Sequence, residues 1–148
     1  MNATCSVPTP IRVLVVAPDA ESHALMQSLL QASLQLVPLK IDVNQAWSRS
    51  DLMRRARANL DDLVFLDWQS AEGDTPDTVR EILEVNPRLR VIVLLPLQLR
   101  QYRHCLWEAG VCSSIPKESL DAEWLSSALC LINRAMERER KLVMSLTA

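Results

Sequence analysis

The sequence is short of glycine. Among 148 residues there are two, Gly73 and Gly110. A dinucleotide fingerprint needs three glycines at fixed spacing, and a P-loop needs two before Lys-Ser/Thr. Neither pattern exists, so nucleotide binding through a glycine-rich loop is excluded. Aromatic residues make up 4% of the chain. The four cysteines, Cys5, Cys105, Cys112 and Cys130, are scattered, with no CxxC and no histidine at ligand spacing. That argues for reduced packing cysteines, not a zinc site or a disulfide framework. No run of like charge occurs and the formal net charge is −2, which points to neither nucleic acid nor an anionic membrane as a direct partner. The longest apolar run, 91–97, is too short to span a bilayer and contains Pro96. Residues 1–10 lack the basic start and apolar centre of a secretory signal. The expectation is a cytoplasmic protein with a short disordered lead-in over 1–10.

What is present is a repeating alternation. The run IRVLVV at 11–16 is β-branched and apolar with little alternation, as in a strand buried on both faces. Asp19 can cap a following helix, in which Leu25, Met26, Leu29 and Leu30 fall on one stripe. A second strand is expected over 36–43, with Pro38 suiting only an edge or a strand's beginning. An arginine-rich helix is expected over 47–58. A third strand, 63–66, ends on Asp67. A helix with Pro76 in its first turn follows, turning Val79, Ile82 and Leu83 inward. Residues 91–95 form a fourth strand, 99–109 a helix stopped by Gly110, and 112–115 a weak fifth strand. A long last helix, from 120 to about 142, has Leu125, Ala128, Leu129, Ile132 and Met136 on its apolar face. Short buried strands joined by helical crossovers imply a parallel sheet covered on both faces. Its functional site should lie at the carboxyl ends of the strands, after Val16, Leu66, Leu95 and Ile115.

The segments IRVLVV (11–16), DLVFLDW (62–68), RVIVLLP (90–96) and AGVCSSIPK (109–117), in that order and spacing, resemble the receiver domain of bacterial response regulators. The resemblance spans 11–134. It implies a flavodoxin-like three-layer α/β/α sandwich with a five-stranded parallel sheet of order 2-1-3-4-5. It also implies phosphoryl transfer to a carboxylate at the end of strand three. Position by position, Asp67 matches the phospho-acceptor, and Lys117 matches the lysine that contacts the phosphate. The family's acidic pair for a divalent cation falls at Ala17 and Pro18, which offer no side-chain ligand. Its Ser/Thr position is Leu95, and its aromatic switch position is Ser114. The family's proline follows the lysine. Here Pro116 precedes Lys117, and a one-residue slip in an alternating strand reverses the face.

Charge decides what these departures mean. A carboxylate attacking an anionic phosphoryl donor must have its charge offset. Like unit charges a few ångströms apart repel by roughly 4 kcal/mol at an effective dielectric of about 20, and about 1.4 kcal/mol is a tenfold change in rate. With no metal ligands, Lys117 alone is left to offset that charge. The expectation is therefore a pseudo-receiver that is not an enzyme, with no catalytic residue, no metal and no cofactor. Mg2+ enters only if Asp67 is phosphorylated. Two alternatives stand beside it: a phospho-accepting switch using Asp67, and a small-ligand sensor in the emptied acidic pocket. The partner is expected to be a protein, or a second copy in a homodimer, docked on the face of helix four, strand five and helix five. Arg100, Tyr102, Arg103, Trp107 and Trp124 are its candidate anchors. His23 and His104 read as surface or helix-face residues. Mixed charge at Glu137, Arg138, Glu139 and Arg140 suits an exposed or coiled-coil helix. Residues 135–148 are thus expected to connect to a downstream output domain of a larger signalling protein.

Overall fold

A computed structural model describes residues 9–71 and 73–147. Cys5 and the first eight residues of the expected lead-in lie outside them. Ile11–Val16 (β1) is the first strand, and all but one of its residues are buried. Asp19 ends the turn after it, accepting the Ser22 N–H at 2.7 Å and so capping Ala20–Leu34 (α1). Ile41–Ala46 (β2) is followed by Arg49–Arg57 (α2), then Leu63–Asp67 (β3), every residue of which is buried. Thr75–Val85 (α3), Arg90–Leu95 (β4), Arg103–Ala109 (α4), Ser113–Pro116 (β5) and Ala122–Thr147 (α5) complete the order. All strand pairs are parallel, in the order β2-β1-β3-β4-β5.

The pleat divides the core into two layers. Leu14, Val64, Leu66, Val91, Val93 and Leu95 pack with Leu52, Val79, Ile82 and Leu106, beneath α2, α3 and α4. Val13, Val15, Leu63, Phe65, Ile92 and Leu94 pack with Met26, Leu30, Leu125 and Leu129, beneath α1 and α5. The sheet is therefore the middle layer of three, as the alternation of elements required.

Several boundaries differ from the sequence reading, each for a physical reason. The second strand begins at Ile41, beyond Pro38, which cannot donate to the ladder. Trp47 is outside α2, because Ser48 is the cap and accepts the Asp51 N–H at 3.2 Å. Residues Leu97–Tyr102 form a 3-10 turn, so α4 starts four residues later than the apolar pattern suggested. In α1 the buried line is His23, Met26, Leu30 and Ser33, and Leu25 is exposed. The last helix opens at Ala122, with Asp121 accepting the Trp124 N–H at 2.7 Å, and runs to Thr147. Gly110 has φ +108 at the end of α4, where a Cβ would sit 2.6 Å from Leu83 Cδ1.

Candidate functional site

The strand order reverses between β1 and β3, so the chain ends of these strands form the crevice in which sheets of this kind place their chemistry. Asp67 is the last residue of β3 and is 4% exposed. One carboxylate oxygen accepts the Gln69 N–H at 2.9 Å, and the other lies 2.7 Å from Lys117 Nζ. Lys117 follows β5 directly, in a 3-10 turn. Pro116 closes that edge strand opposite Leu95, where a missing N–H is tolerated. The Pro-Lys order therefore does not turn the lysine away from the crevice.

Ala17, after β1, is 2% exposed and belongs to the α1/α5 core layer; Pro18 is exposed. Asp19 stays outside, its carboxyl held below the usual range first by the Ser22 N–H it accepts and also by the charge of Lys117. Leu95 is wholly buried in the α2–α4 layer. Ala17 and Pro18 carry no side-chain oxygen, Asp19 caps α1 through Oδ1, and Asp67 accepts through both oxygens. Among the described residues no group of three His, Cys, Asp or Glu is arranged to hold a metal ion.

Three contacts were not legible beforehand. His23, expected as a surface or helix-face residue, lies on the buried face of α1 at 3% exposure. Its Nε2 lies 3.1 Å from the Ala17 carbonyl oxygen, and its ring meets that of Trp47 at a tilt of 42° with centroids 4.0 Å apart. The signal was available in the spacing of His23 with Met26, Leu30 and Ser33, a stripe neighbouring the one chosen. Arg103 donates from Nε to Ser114 Oγ at 3.1 Å and from the guanidinium end to the Ser114 carbonyl at 3.0 Å. Trp68 packs against Tyr102 in a tilted pair, 39° between planes and centroids 5.4 Å apart. Both contacts depend on how the 3-10 turn rotates the start of α4, which no local pattern reports.

The expected anchors are not one patch. Trp107, 67% exposed, sits with Arg103 and His104 around a hollow of about 390 Å³ that reaches Ser114. Trp124 lines a separate hollow of about 380 Å³ against Ile92. The two meet at Cys112 and Ser113, on the open edge of β5. Arg100 is exposed, Tyr102 is occupied by Trp68, and His104 is exposed and pairs with Glu108 at 2.9 Å.

Five parallel strands in the order 2-1-3-4-5, with an acid closing β3 and a lysine following β5, decide the fold. The chain has the receiver fold. A response regulator receiver domain protein from Clostridium thermocellum superimposes with a TM-score of 0.70 at 23% identity, over 89% of this chain and 98% of that one. A CheY-like receiver domain protein from Methanospirillum hungatei gives 0.71 at 15% identity, over 88% and 99%. The receiver domain of a sensor histidine kinase from Pseudomonas aeruginosa, solved with a magnesium ion in its active site cleft, gives 0.67 at 18%, over 84% and 98%. No family model matches the chain, and no curated protein matches it in sequence. Among the described residues no helix is long and apolar enough to cross a membrane.

Proposed function

We propose that this receiver-fold chain is a pseudo-receiver, a signalling module that acts by binding a protein partner and not by accepting a phosphoryl group. The observation that carries this reading is the closed state of Asp67. Its carboxylate is buried and bonded through both oxygens, and the positions that would bring a cation beside it are Ala17 and Pro18. An incoming phosphoryl donor at Asp67 would find only Lys117 to offset its charge. The Asp67–Lys117 pair is then a tie between β3 and β5, holding the loops in one conformation.

The start of α4 is tied in the same way. Arg103 grips Ser114 on β5, at the position where the family's aromatic switch falls, and Tyr102 packs at a tilt against Trp68 in the segment after Asp67. With the α4–β5 side held in place, the exposed Trp107 and its hollow are a preformed docking surface for a protein, on the face of α4 and β5. In this reading the chain is the regulatory part of a larger cytoplasmic signal-transduction protein.

Beryllofluoride with magnesium tests the reading, since it occupies a competent receiver as a phosphoryl mimic. The melting temperature should not move with the mimic. A rise that needs magnesium and vanishes in Asp67→Asn would overturn it.

A further inference from the structure

The last helix outruns its own core. Met136 is the final residue of α5 with a buried side chain, yet the helix continues to Thr147. Residues 137–147 add about 16 Å of helix at 1.5 Å per residue. Four large apolar side chains in that stretch are exposed, Leu142, Val143, Met144 and Leu146; Leu142 and Leu146, at 63% and 84%, share a face with Leu131, one and a half turns before Met136 and 72% exposed. With the half-buried Ala135, these residues stand at spacings of four, seven and four. At about 100° per residue they fall within about 60° of one another, roughly a quarter-turn from the stripe that faces the core. The upper end of this second stripe opens into the 380 Å³ hollow between α5 and the edge of the sheet.

Charge chooses the occupant and its direction. Arg138 lies about 50° to one side of the stripe, and Glu139 about 50° to the other. When two such helices run parallel about a two-fold axis, the left flank of one meets the right flank of its mate, so Arg138 faces Glu139 twice over. When they run antiparallel, each flank meets itself, setting Arg138 against Arg138 and Glu139 against Glu139. Arg90 engages Glu139 through Oε1, which leaves Oε2 for a second guanidinium. A parallel arrangement also brings both protruding ends together, so each Leu142 and Leu146 is covered by its counterpart.

We infer that a second copy of this chain docks in parallel along α5, through Leu131, Ala135, Leu142 and Leu146, with Arg138 and Glu139 paired crosswise. This rests on the interaction reading above and names the partner and its orientation. It uses the outer edge of α5 and leaves Trp107 accessible.

Sedimentation velocity of the full chain across micromolar concentrations gives the test. The wild type should be dimeric, and Leu142→Glu should weaken association at least tenfold with an unchanged melting temperature of the monomer, since the side chain is exposed. Leu142→Cys should form a disulfide-linked dimer on mild oxidation, beyond any formed by the parent, because parallel helices place the two positions at one height. A monomer at all concentrations, a dimer indifferent to Leu142→Glu, or no added cross-link from Leu142→Cys would overturn the inference. The two proposals fail separately. A monomer whose Asp67 takes no phosphoryl group sinks only the α5 pairing, whereas a dimer that is phosphorylated on Asp67 sinks only the pseudo-receiver reading.

Discussion

Replacing Lys117 by methionine removes the charge opposite Asp67 while keeping a stem of similar length. The two groups lie 2.7 Å apart, with side-chain exposures of 32% for the lysine and 5% for the aspartate. At an effective dielectric of about 20 their direct attraction is roughly 6 kcal/mol. Water reaches the lysine, and both groups lose hydration on folding, so the net effect is smaller. Truncating a wholly buried pair costs about 3–5 kcal/mol and an exposed one under about 1. Lys117→Met should therefore destabilise by about 2–3 kcal/mol, or roughly 5–10 °C in Tm for a chain of this length. Asp67→Asn keeps the acceptor for the Gln69 N–H and should cost less. Because the aspartate's charge is then gone, the double substitution should be no worse than Lys117→Met alone. Urea titrations of the four proteins at neutral pH give the coupling energy directly. A coupling below about 0.5 kcal/mol would refute the idea that this pair ties β3 to β5.

Other consequences are as direct. Burial pushes the Asp62 carboxyl up, but the side-chain and backbone N–H groups of Arg12 bonded to it outweigh that, so its pKa is lowered on folding. A lowered carboxyl stabilises above its unfolded pKa and loses that contribution as the pH falls below about 4. Arg12→Leu should flatten this acid limb in pH-dependent urea unfolding, and an unchanged limb would contradict the assignment. Gly110→Ala places a Cβ against Leu83 at positive φ, and should cost about 1–3 kcal/mol in the same assay. Leu95→Thr, which restores the family's residue type, buries a hydroxyl in the α2–α4 core layer and should cost about 2–4 kcal/mol without restoring phosphate contact. A neutral effect on stability would argue against the packing described.

The layered sheet was legible because its evidence is redundant. β1, β3 and β4 are short apolar runs buried on both faces, and periodicity of that kind reports burial without knowledge of the partners. The acid ending β3 and the lysine after β5 could be found by count. Legibility fell where rotation or a cap sets the outcome. The stripe on α1 was displaced by one position, which hid His23. The apolar pattern of 99–109 reads as one helix, although Leu97–Tyr102 is a 3-10 turn. Those two errors concealed the His23–Trp47 pair and the Arg103–Ser114 clasp, contacts between residues whose approach depends on the angle at which a helix meets the sheet. The division of the anchor residues between two hollows has the same origin.

The chemistry of one carboxylate, that of Asp67, decides between a phosphorylation switch and a module that only binds. Intact mass of the chain after acetyl phosphate, with and without magnesium, measures it. No gain of a phosphoryl group in either condition is the expected result. A single phosphoryl group, dependent on magnesium and absent in Asp67→Asn, would mean that the crevice opens and works as a phosphorylation switch, and the binding-only account would be wrong.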